Sequence, residues 1–208
     1  MMDVEKKKYI EDLREIKTMM NRSSRFISLS GMSGVCAGLI AILTAFAAYQ
    51  LVYAGQDYFN MRRVHLSYRH LFMLLLLANA AIFSSLAFGV YFTSRKAKRN
   101  GQRLWGPESK QFLTSFMPAM VTGGLLCLML LLKGYVGVVA PLCLVFYGLA
   151  LVSASRYTLE ATKGLGYIEI ILGLAGIYFI GYGLLFWALG FGLMHIVYGV
   201  YMHIKYGS

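Results

Sequence analysis

Acidic side chains are scarce in this chain, with nine Asp and Glu among 208 residues against twenty Lys and Arg. Five of the nine fall before residue 16, and Asp57, Glu108 and Glu160 lie beside or between apolar runs. Glu169 is therefore the one carboxylate set deep in apolar sequence. Charge as a whole is thin, 14% of residues against about a quarter in ordinary globular domains. With 58% hydrophobic residues and a mean hydropathy of +0.61, the balance excludes an ordinary soluble domain. Cysteine is almost as rare. Cys36, Cys127 and Cys143 each lie within an apolar run. An odd number without ligand spacing gives neither a complete disulfide framework nor a metal site. They read as free thiols acting as small apolar side chains, although Cys127 and Cys143 fall at similar depth across a helical hairpin and can touch.

Catalytic and cofactor signatures are missing too. No nucleophile elbow or phosphate-cradling glycine loop is present, because the glycines recur at helix-packing intervals. A haem needs histidines at matching depth, yet His70 opens one apolar run on the expected outer side and His203 closes another on the inner. The sequence thus calls for no cofactor, no metal and no catalytic residue. The net charge of +11 could suggest nucleic acid, but no recognition motif accompanies it. No cleavable leader is expected, since the first apolar run begins near residue 30 behind a charged segment.

What is present is a series of apolar runs, each about the twenty residues a helix needs to cross a bilayer. The fold class is all-α: a polytopic membrane protein with six transmembrane helices, at about 30–53, 70–93, 112–132, 136–155, 165–182 and 184–204. Residues 1–29 stand apart. Tyr9, Leu13, Ile16 and Met20 recur at spacings of four and three among charged residues, which predicts a cytoplasmic amphipathic helix. It can lie on the membrane surface or take part in a short coiled coil, though two heptads do not sustain one alone.

A basic linker follows, and Arg22 and Arg25 within it are candidates for anionic headgroups, as are Arg95, Lys96, Lys98 and Arg99 in the most basic loop. The run Arg22-Ser23-Ser24-Arg25-Phe26 with Ser28-Leu29-Ser30-Gly31 resembles that of uncharacterised bacterial six-span inner-membrane proteins. The resemblance covers about a dozen residues, implies a bacterial origin and brings no established activity with it.

Six spans place both termini on one side. Sixteen of the Lys and Arg residues then fall on that side and four on the other, so both termini are expected in the cytoplasm. The expected location is the bacterial inner membrane.

The last two spans form a hairpin carrying Glu169 and His195. The short link at Gly183 makes the two helices antiparallel neighbours, which brings the pair within about one helical turn (~5 Å). Glu169, Gly173, Gly176 and Gly183 share one stripe, and Ala188, Gly192, His195 and Gly199 another. Such small-residue faces mark close helix packing, as do Ser30, Gly34, Gly38, Ala41, Ala45 and Ala48 in the first span. An intramembrane ionisable residue is a functional candidate by default. Glu169 and His195, with Tyr198 one turn further and Asn79 in the second span, form the candidate polar site. The same residues serve equally as structural contacts that fix helix register.

Three functions follow in order. The first is a non-enzymatic membrane scaffold or regulatory protein, able to form homo-oligomers and to meet a cytoplasmic protein through residues 1–29. The alternative is a small proton-linked transporter or channel subunit using Glu169 and His195. A lipid-acting membrane enzyme comes third. The expected partners are the bilayer with its anionic headgroups, a second copy or a cytoplasmic protein, and no nucleic acid.

Overall fold

The computed structural model describes residues 30–53, 67–99 and 105–206, and every regular element among them is helical. Helix α1 spans Gly31–Ala48 and runs on as a π-helical turn, Tyr49–Tyr53. Then come α2 (Tyr68–Arg99), α3 (Pro107–Leu132), α4 (Val136–Ala154) and α5 (Glu160–Tyr178). The last rod is composite: α6 (Gly183–Trp187), a π-helical segment (Ala188–Met194) and α7 (His195–Tyr206). Five helical stretches are long and apolar enough to cross a membrane, namely Gly31–Leu51, Tyr68–Arg99, Pro107–Leu132, Val136–Tyr157 and Gly183–Lys205. Helix α5 packs among them but carries Lys163 and Glu169 in its apolar stretch. The expected amphipathic helix of residues 1–29, with Arg22 and Arg25, lies outside the described residues.

Apolar surface has no reason to prefer a neighbouring helix over lipid, so helices meet where small residues let backbones approach. The first and last rods show this. A Cβ on Gly38 would lie 2.6 Å from the Gly192 carbonyl oxygen, and one on Gly199 would lie 2.6 Å from that of Gly31. The small face of α1 is thus spent within the chain, against the last rod. Helix α2 flanks α1 and leaves most of its apolar surface outward.

The second half is built on α4. It packs on α5 where Gly148 and Gly166 face each other's carbonyls, and where Gly173 lies against the Pro141 carbonyl. Helix α3 lies against its other side, with Gly123 directly under the Phe146 ring. The α3–α4 link is tight: Gly134 takes φ 82°, a conformation that favours glycine, and Tyr135 N–H donates to Leu130 O at 2.9 Å.

Two expectations about the final hairpin change. The turn lies at residues 179–182 with Gly181 at φ 107°, not at Gly183, which is buried against the Gly137 carbonyl. Helix α5 also begins at Glu160, five residues before the expected start, so Glu169 stands at its midpoint and not near its end. The glycine stripe of α5 meets α4 more than the last rod, because Gly166 and Gly173 fall where the α4 backbone comes closest.

Candidate functional site

Glu169 is 0% exposed and His195 7% exposed, each about midway along its rod. They meet where α4, α5 and the last rod converge. His195 Nδ1 lies 3.3 Å from Glu169 Oε1. It also lies 3.1 Å from the carbonyl oxygen of Gly190, five residues back in the π-helical segment. The two contacts differ in kind. The ring N–H points at the Gly190 carbonyl, and among the described residues no donor is aligned with either Glu169 oxygen. The carboxyl therefore sits beside the imidazole, close but off the donor axis.

The other ring nitrogen has a partner on a third helix. The Tyr147 hydroxyl of α4 lies 2.9 Å from His195 Nε2. With the proton on Nδ1, all polar atoms of a neutral imidazole are satisfied: Nδ1–H donates to Gly190 and Tyr147 O–H donates to Nε2. Tyr147 was not distinguished in the sequence among fifteen tyrosines. The available signal was its place inside an aliphatic run, where a hydroxyl needs a partner.

Local backbone makes this geometry. In a π-helix the hydrogen bonds span five residues and not four, and such segments recur at functional sites. Here the widened turn faces Gly190 towards α5. A Cβ at that position would overlap Glu169 Oε2 and lie 2.5 Å from Leu144 Cδ2. The expected single stripe on the last rod is in fact divided. Gly192 and Gly199 face α1, while Gly190 and His195 face Glu169.

Aromatic rings close the site. Tyr147 packs on His195 at 5.3 Å between centroids, on Phe191 at 4.9 Å and on Phe116 of α3 at 5.9 Å. Trp187 adds to Phe191 at 5.1 Å. These rings give the imidazole largely apolar surroundings, where electrostatic interactions are strong.

The Tyr198 hydroxyl lies 2.9 Å from Thr162 Oγ1 on α5. Asn79 is remote from the site. It is exposed on α2 and donates to the Leu75 carbonyl of its own helix at 2.8 Å, the local bond a short amide makes without a neighbouring helix. Of the candidate headgroup ligands, Arg95, Lys98 and Arg99 are exposed, while Lys96 is buried beside Thr93 and Ala97 at the end of α2. No group of three His, Cys, Asp or Glu suited to a metal occurs among the described residues.

Comparison with protein-family models, with curated proteins and with solved structures finds no match to this chain.

Proposed function

We propose that this chain is an integral protein of the bacterial inner membrane that moves protons through Glu169 and His195, as a small proton-linked transporter or channel subunit. One observation carries the reading: a fully buried carboxyl in mid-helix, beside an imidazole, with no aligned donor for either oxygen. A polar group kept for architecture is normally hydrogen-bonded. One that must gain and lose a proton has to be stable enough in both states, and a fixed set of donors would hold it in one.

His195 supplies the route. An imidazole can accept a proton at Nε2 from the Tyr147 side and, once its Nδ1–H turns from the Gly190 carbonyl to the Glu169 oxygen 3.3 Å away, release one there, then return by exchanging tautomers. Glu169 is the acceptor within the membrane, His195 the carrier and Tyr147 the residue that orients the ring. The scaffold reading draws on residues 1–29, outside the described residues, and no observation in the fold adds to it.

In liposomes with an internal pH dye, the purified protein is expected to dissipate an imposed pH step faster than protein-free vesicles do. Rates equal to those of empty vesicles, at every step tried and with valinomycin and potassium present, would end the proton reading.

Six crossings with both termini cytoplasmic belong to the same proposal, with α5 as the fifth. The sixteen-to-four division of Lys and Arg supports it. Reporter fusions at Asp57 and Gly101 are expected on opposite sides, Asp57 outside. Finding both on one side refutes the arrangement.

A further inference from the structure

The α3–α4 seam holds a second chemical feature outside the buried acid–imidazole site. Cys127 Sγ and Cys143 Sγ lie 3.7 Å apart, and the Cys127 thiol also faces the Val139 carbonyl at 3.8 Å. The approach is built into the hairpin. Backbone bonds from Lys133, Gly134 and Tyr135 to Met129, Leu131 and Leu130 fix the turn, and Gly123 under Phe146 fixes the contact further down. A disulfide needs the sulfurs about 2 Å apart. Less than 2 Å remains to be closed between the sulfurs.

We propose that Cys127 and Cys143 are a reversible dithiol–disulfide pair, oxidised by a quinone dissolved in the lipid, that clamps α3 to α4. Cys127 lies five residues, about 8 Å, from the end of α3, and Cys143 seven residues into α4. Both therefore fall within the apolar layer of the membrane-spanning reading, on which the choice of oxidant rests. Cys127 is buried and Cys143 half-buried. The reaction balances without leaving charge in the lipid. Two S–H bonds break and one S–S bond forms, while two electrons and two protons convert the quinone to its hydroquinone.

The clamp acts close to the buried site. Cys143 stands one turn before Tyr147 on α4, and Tyr147 bridges from Phe116 of α3 to His195. Oxidation fixes the helix that positions the imidazole against the helix behind it.

The test uses the full-length protein in liposomes, without oxygen, with decylubiquinone as the probe. After incubation, denatured protein is labelled with maleimide–polyethylene glycol and hydroquinone is measured. The expected result is a fall from three labelled thiols to one and one hydroquinone formed per chain. A Cys127–Cys143 cross-linked peptide should appear by mass spectrometry, and dithiothreitol should restore all three thiols. Cys36→Ser should still form the bond, and Cys143→Ala should form neither bond nor hydroquinone. Three persistent thiols, or a cross-link through Cys36 between chains, overturns the proposal. Oxidation by diamide but not by the quinone overturns the lipid-phase oxidant. None of these readouts depends on proton flux, so failure of the proton reading leaves this test intact.

Discussion

Glu169→Met is expected to unfold at a higher temperature than the parent protein and to conduct no protons. The two effects have one cause. A buried carboxyl without aligned donors has given up hydration and received no hydrogen bond in return, a loss of about 1–3 kcal/mol. Methionine has similar length and adaptable shape, and replaces that group by apolar surface. His195 does not suffer, because Gly190 and Tyr147 satisfy both of its nitrogens without the carboxyl.

A direct Glu169–His195 hydrogen bond would give the opposite sign, because an apolar residue at 169 would then strand the histidine. The difference lies in the off-axis geometry of the carboxyl. Thermal unfolding in detergent and flux in liposomes, measured on the same preparation, decide between them. Lower stability with unchanged flux would assign Glu169 to architecture. Higher stability with lost flux is the pattern of a residue retained for function at the expense of stability.

Gly190→Ala should disturb packing and the buried site together. Its Cβ would overlap Glu169 Oε2 and press on Leu144, and Leu144 is fully buried. Forced overpacking costs about 1–3 kcal/mol, and displacing the carboxyl should also abolish flux. A double-mutant cycle makes the claim specific. In a Glu169→Ala background the extra methyl group enters space the carboxyl has vacated, so the added cost should shrink by about 1 kcal/mol, within the range expected for residues in contact. Equal costs in both backgrounds would show that Gly190 is constrained by Leu144 or by the backbone and not by Glu169.

Only local and periodic information is legible in the sequence of a chain like this one. Apolar runs near twenty residues announce helices that can cross a bilayer, and the division of Lys and Arg supplies an expected orientation, because both depend on composition along the chain. The proximity of Glu169 and His195 was legible as well, since a short link forces neighbouring helices to be antiparallel and antiparallel geometry sets depth.

Which faces meet was not legible. Lipid and protein are equally apolar, so the pattern of hydrophobic residues does not distinguish the side of a helix that faces its neighbour from the side that faces lipid. Gly34, Gly38, Gly192 and Gly199 advertised close packing, and only the assembled fold pairs the first helix with the last. Tyr147 is another case, an aromatic residue in an aliphatic run until α4 brings it to His195. The π-helical segment Ala188–Met194 has no sequence signature of its own; it is the conformation that lets Gly192 meet α1 while Gly190 and His195 meet Glu169. The residue types of the site were thus set by the sequence. The off-axis carboxyl that gives them a function to test was decided by how three helices pack around a glycine.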